Sequence, residues 1–228
     1  MATVVAFGGP RVTEAVSPLT TDLDVVPNEA VLVRHFSASD AALFSGWGGM
    51  PCVSSPESIT AMTTLVEAIA VSLYQPRGRV VFAGCGTSGR LSHFLARGLN
   101  TWAASALGHT FPRFSYLLAG GDAALLLPQE AVEDNPNAGP NDLEAWERAN
   151  GIAPLEPVVV IGISCGLSAT YVGSLLSAAT TRPGYSVVCC GFNPIEAVRD
   201  VRVDGWERHS LTSCTICARG QLRRAALC

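Results

Sequence analysis

The sequence predicts an α/β protein: a doubly wound parallel sheet flanked by helices, preceded by an extended or helical N-terminal arm. Three observations carry that expectation. From Val80 onward, short apolar runs ending in glycine or hydroxyl residues alternate with segments of helical spacing. The run Val158–Ile163 is close to continuous and rich in β-branched residues, as a strand covered on both faces is. The 228 residues are 48% hydrophobic with a mean hydropathy of +0.31, ample for such a core. No apolar stretch reaches the roughly 18 residues that a bilayer-spanning helix needs, so no membrane partner is expected.

The elements follow in order. Residues 1–50 are weakly patterned and read as an arm, with VSPLTTDLDVVP (16–27) extended and rich in turns. The MATVVAFGGPRVTE start has neither the basic region nor the apolar core of a signal peptide. Ser55, Pro56 and Glu57 form a helix start: a cap, a proline at the first position and an acid in the first turn. Ile59, Met62, Val66, Ile69 and Leu73 then recur every three or four residues, the spacing of a buried stripe, until Pro76 and Gly78 stop the helix. Val80–Ala83 is a strand, and Leu91, Phe94, Leu95 and Leu99 mark the next helix. Phe114–Ala119 is a second strand ending at Gly120 and Gly121. Asn141 is placed to cap a helix bearing Leu143 and Trp146. Val158–Ile163 is the third strand. Ser168 is placed to cap a helix bearing Tyr171, Val172, Leu175 and Leu176. Ser186–Cys190 is the fourth strand, and Asn193-Pro194 opens a further helix. The expected division is an arm over 1–50, a domain over 51–206 and a divergent, poorly ordered tail over 207–228.

A net charge of −4 argues against nucleic acid as a main partner. All 15 basic residues are arginine, so a phosphate clamp in this chain must use arginine, hydroxyls or backbone N–H groups. Cys85, Cys165, Cys189 and Cys190 lie in or beside strand-like runs and read as buried thiols in a reducing compartment. Cys214 and Cys217, with His209 and Cys228, match no standard zinc spacing, and neither a metal nor another cofactor is expected.

Chemistry concentrates in GCGTSGR (84–90). Gly84, Gly86 and Gly89 match G-x-G-x-x-G, and Asp122 after the second strand is placed to hold a ribose. Thr87 and Ser88, however, put two hydroxyls inside the loop. Hydroxyls beside the free N–H groups of a helix start suit a phosphate monoester. A bare chain reversal is the remaining reading. The third strand runs out into Ser164-Cys165-Gly166-Leu167-Ser168, a second loop of hydroxyls and glycine. Two such loops at the carboxyl ends of parallel strands can face one crevice. Thr87, Ser88, Ser164 and Ser168 are then placed to share one phosphate.

These motifs carry a resemblance. GCGTSGR (84–90), LLAGGD (117–122), VEDN (132–135), IGISCGLSA (161–169), CGFNP (190–194) and the arm SPLTTDLD (17–24) resemble the sugar isomerase (SIS) domain of glucokinase regulatory proteins. Their order and spacing are also similar to the N-acetylmuramic acid 6-phosphate etherases. The resemblance implies the SIS fold and a sugar-phosphate site: Gly86, Thr87, Ser88, Ser164, Gly166 and Ser168 for the phosphate, and Glu133 for the sugar hydroxyls. It implies fructose 6-phosphate or a related phosphosugar as ligand, glucokinase as partner, pairing with a second SIS domain, and a cytoplasmic or nuclear setting.

The etherases use two carboxylates, as elimination of lactate needs a base and an acid. Glu133 matches one. The other position falls near Gly98, in LSHFLARGLN (91–100), which has no Asp or Glu. His93 is the one nearby group titrating near neutrality, and beside Phe94 it reads as a surface or packing residue. The pattern therefore favours a binding protein over an enzyme. The etherase-like lyase, and a module that works only as a dimer, stay open as alternatives. The chain stops shortly after one SIS domain, so the resemblance implies a shortened version of the regulator, without its second SIS domain and lid.

Overall fold

The computed structural model describes residues 16–21, 23–46, 52–108, 111–127, 129 and 131–193. Residues 1–15, the helix expected from Pro194 and the tail 207–228 lie outside them. Contacts divide the chain into two units at residue 66.

The smaller unit holds a helix that hydropathy alone did not reveal, α1 (Glu29–Ser45). Its start is local chemistry: Asn28 is extended and its side chain accepts from Val31 N at 3.1 Å. Gly46, at φ 83°, closes it. The turn-rich arm contains a 3-10 turn at Leu23–Val25. Helix α2 (Pro56–Tyr74) begins where expected, with Ser55 Oγ accepting from Ser58 N at 3.2 Å. Its apolar stripe differs from expectation. Ile59, Met62 and Val66 are exposed, and Ile69 and Leu73 are half-buried. Periodicity identifies the apolar face of a helix but not what packs on it.

In the larger unit, β1 (Arg79–Gly84), β2 (Phe114–Leu118), β3 (Val158–Ile163) and β4 (Tyr185–Cys190) form a parallel sheet in the order β2-β1-β3-β4. The doubly wound expectation is met. The chain leaves β1 toward β2, then returns past β1 to build β3 and β4, so the order reverses between β1 and β3. Side chains alternate along each strand. Val81, Ala83, Val158, Val160 and Val187 face α5 (Ala138–Asn150) and α6 (Thr170–Ala179), where Leu143, Tyr171, Val172, Leu175 and Leu176 fill the core. α5 starts at Ala138, three residues before the expected cap Asn141, which lies within its first turn.

The opposite face carries α3 (Gly86–Leu107), which contacts β1 and β2. The expected helix is present, and its packed face is not its most apolar one. The buried residues of α3 are Gly89, Ser92, Ala96 and Ala103, whereas Leu91, Phe94 and Trp102 point outward, Phe94 being 68% exposed. Small residues let the helix axis approach the sheet closely. A Cβ added at Gly89 would lie 2.0 Å from Leu118 Cδ1 and 2.7 Å from Gly84 O. A short helix, α4 (Ala123–Leu126), follows β2.

Candidate functional site

The register pairs Gly84 with Ile163, so β1 and β3 end side by side and their two loops leave the sheet together at the point where strand order reverses. This is where doubly wound folds have their crevice. α3 follows β1 and α6 follows β3, so the N-termini of both helices open at this same edge.

The first loop is short. Cys85 is extended and stands just before α3; Gly86 turns the chain at φ 51°, in a region where only glycine is unstrained. Thr87 is exposed and Ser88 half-buried in the first turn. The first-turn N–H groups of α3 have no intrahelical acceptor, and they carry the positive end of the helix dipole. Arg90 follows, with a buried Nε that has no partner among the described residues.

The second loop is held from β4. Ser164 is 6% exposed and its N donates to Cys190 O at 2.9 Å. Phe192 N donates to Cys165 O at 2.9 Å, and Asn193 Nδ2 to Gly166 O at 3.1 Å. Leu167 adopts φ 53° and buries its side chain over Gly191, where a Cβ would meet Leu167 Cδ2 and Ser164 O, each at 2.4 Å. Ser168 is exposed and lies one residue outside the helix; Ala169 occupies the cap position without a side-chain bond. The expected Ser168 cap is therefore corrected by one residue. Among the described residues, the hydroxyls of Thr87, Ser88, Ser164 and Ser168 make no hydrogen bond, whereas Ser92 Oγ donates to Ser88 O at 2.9 Å.

Glu133 arrives from a third segment, the loop before α5. Its carbonyl accepts from Tyr171 N at 2.9 Å in the first turn of α6, which docks this loop beside the second one. Its exposed carboxylate acts on the first loop. Burial pushes the Cys85 thiol up to about 12, and the negative charges of Glu133 and Asp134 add to the rise. Cys85 is therefore a neutral thiol at physiological pH, not a nucleophile. Cys165 differs from the buried-thiol expectation: it is exposed on the second loop, while Cys85, Cys189 and Cys190 are half-buried.

Three other candidates have different roles. Asp122 accepts from Tyr116 Oη at 2.6 Å, and burial together with this bond raises the Tyr116 phenol to about 12. His93 packs edge-on against Tyr116 at 4.6 Å, the packing role its surroundings suggested. Gly98 is exposed on unbroken α3, twelve residues from Gly86, which is about 18 Å along the axis. Sequence reasoning misses the staple from Gly191–Asn193 and the left-handed Leu167; the glycine in CGFNP is the one signal that points to them. No cluster of candidate metal ligands occurs among the described residues, nor any helix long and apolar enough to cross a membrane.

A parallel sheet with hydroxyl- and glycine-bearing loops gathered at its switch point defines the doubly wound α/β class with a carboxyl-edge crevice. Within that class the chain belongs to the glucokinase regulatory protein N-terminal SIS domain family, whose sequence profile matches residues 61–180 and so includes both loops and Glu133. Glucokinase regulatory proteins of Xenopus laevis and Homo sapiens are 31% and 32% identical over 201 residues, 86% of this chain and 31% of theirs. The chain thus spans about a third of the length of those relatives. An N-acetylmuramic acid 6-phosphate etherase from Gloeobacter violaceus is 31% identical over 84% of this chain and 57% of its own length. Among solved structures, a phosphoheptose isomerase from Neisseria gonorrhoeae aligns with a TM-score of 0.43 at 15% identity, covering 72% of this chain and 74% of its own.

Proposed function

We propose that residues 51–206 form a phosphosugar-binding regulatory domain rather than a catalytic one. The observation that carries this reading is the pairing of Gly84 with Ile163, which brings two loops with unbonded hydroxyls to one edge. The phosphate sits on the N–H groups of Gly86 and the first turn of α3. Thr87, Ser88, Ser164 and Ser168 donate to it, and Gly166 lets it approach the second loop. Glu133 accepts from the sugar hydroxyls. Fructose phosphates are the ligand class taken from the family, fructose 6-phosphate first among them. Glucokinase is the partner, and a second SIS domain, in another copy or chain, completes the sugar contacts. The cytoplasm or nucleus is the corresponding setting. A lyase is disfavoured because α3 carries no carboxylate and places Gly98 away from the crevice.

A thermal melt of the full chain with and without millimolar fructose 6-phosphate tests this, beside a Ser88→Ala, Ser164→Ala double variant. Ligand at 100 times its dissociation constant adds about 2.7 kcal/mol. The expected result is a rise in the wild type and none in the variant. A cooperative melt that ligand leaves unmoved would remove sugar sensing from this domain acting alone. Release of lactate from N-acetylmuramic acid 6-phosphate would instead establish the lyase.

A further inference from the structure

The opposite, amino edge of the sheet holds a second concentration of positive charge. A cavity of about 530 Å³ there is lined by Arg77, Arg79 and Arg113, with Phe111 and Asn150. No carboxylate is among its described lining residues.

Arg79, the first residue of β1, is 3% exposed. Its guanidinium lies 4.4 Å over the Phe111 ring. Nη1 donates to Asn150 Oδ1 at 3.1 Å and Nη2 to Asn150 O at 3.5 Å, but Nε is buried without a partner among the described residues. Arg113 spends Nη1 alone, on Gln75 O at 2.8 Å, Gly78 O at 3.1 Å and Leu73 O at 3.4 Å. Arg77 donates Nη2 to Gly151 O at 2.8 Å and pairs through Nε with Glu156.

Part of this is helix capping, since Leu73 O and Gln75 O lie at the end of α2, and Asn150 O and Gly151 O at the end of α5. Capping leaves two things unexplained. Several N–H groups have no partner among the described residues: Arg79 Nε, Arg77 Nη1, and Arg113 Nε and Nη2. Three like charges also share one cavity against a single carboxylate outside its lining, and the helix C-termini offset only part of the excess. Burial lowers the Arg79 pKa from its ordinary value, and Arg77 and Arg113 add to the fall against the pull of Glu156. A bound dianion would relieve the repulsion and fill the unused donors, because guanidinium forks match phosphate oxygens.

We propose that this cavity is a second anion site, taking a phosphate dianion, free or as the head of a small ester, through Arg77, Arg79 and Arg113. It is separate from the carboxyl-edge crevice. β1 begins at one and ends at the other, and its six residues span about 17 Å.

Titration of the full chain with inorganic phosphate, read on the Arg79 Nε–H cross-peak in a ¹H–¹⁵N correlation spectrum, tests the site. Sodium chloride at matched ionic strength is the control, and a second arm uses glycerol 3-phosphate. The expected result is a saturable shift that persists in the Ser88→Ala, Ser164→Ala variant. Arg77→Gln weakens it at least about tenfold, as loss of a charged hydrogen-bond donor does. Arg113→Lys keeps a cation and a carbonyl donor but not the fork. It covers the case in which Arg77→Gln disturbs Glu156, and it too weakens binding. Tighter binding of the ester assigns the rest of the cavity to its carbon skeleton; equal binding assigns the head group alone. A shift that chloride reproduces, that disappears in the serine variant, or that neither arginine variant weakens would overturn the proposal.

Discussion

The corner after β1 is held mainly by its own backbone, and the corner after β3 mainly from β4. At the first, Gly84 and Gly89 bring the strand end and the first turn of α3 into backbone contact; a Cβ on Gly84 would lie 2.7 Å from both Gly89 N and Ser88 C. At the second, the close approach is to the chain after β4, where a Cβ on Gly191 would lie 2.4 Å from Ser164 O. Leu167 is pressed over Gly191 in a left-handed conformation, and β4 supplies the bonds from Phe192 N and Asn193 Nδ2. Two loops presenting similar hydroxyls thus depend on different parts of the chain. Apart from Leu118 of β2 against Gly89 and the bond from Ala119 N to Gly84 O, the first is closed by its own backbone, while the second needs β4, which follows it in sequence.

Gly84→Ala strikes the first corner. All three atoms nearest the new methyl are backbone, so α3 must shift, and the expected loss is about 3 kcal/mol in a urea melt. Leu167→Ala strikes the second corner. Its expected cost is about 2 kcal/mol, low for a buried leucine, because a surface loop can close over the space. The first corner stays intact in this variant, so part of any response to fructose 6-phosphate survives. Equal loss of that response in both variants would show that the corners are not independent.

The smallest effect is a pH dependence. The folded chain holds the Cys85 proton up to about 12, above the ordinary thiol value of about 8.5. That contribution is complete below the unfolded value and is lost as pH rises toward 12. Cys85→Ser, which does not titrate there, flattens the alkaline fall of the urea midpoint between about pH 8.5 and 10.5. An unchanged slope would place the loss on other groups, Tyr116 first.

The strands were legible because β1 and β3 are unbroken apolar runs, a pattern that burial on both faces requires. The two loops were legible because glycine and hydroxyls directly follow those runs. α1 was missed because its apolar spacing is weak; Asn28 and Gly46, its two punctuating residues, were the usable signal. The sheet-facing side of α3 was not legible, because Leu91 and Phe94 dominate hydropathy, whereas Gly89, Ser92 and Ala96 are the buried residues. The arginine cluster joins Arg77 and Arg79 to Arg113, which adjacent strands bring together across more than thirty residues, and no local pattern announces it.

The contact between Gly84 and Gly89 also governs how this sequence can drift. Every amino-acid replacement that a nucleotide change brings to either position installs a side chain where backbone or a β2 side chain already stands. A saturation scan should therefore show two positions accepting nothing, with exposed Thr87 between them open to Ser and other small polar replacements as far as folding is concerned. Tolerance at Thr87 would then report on ligand binding alone.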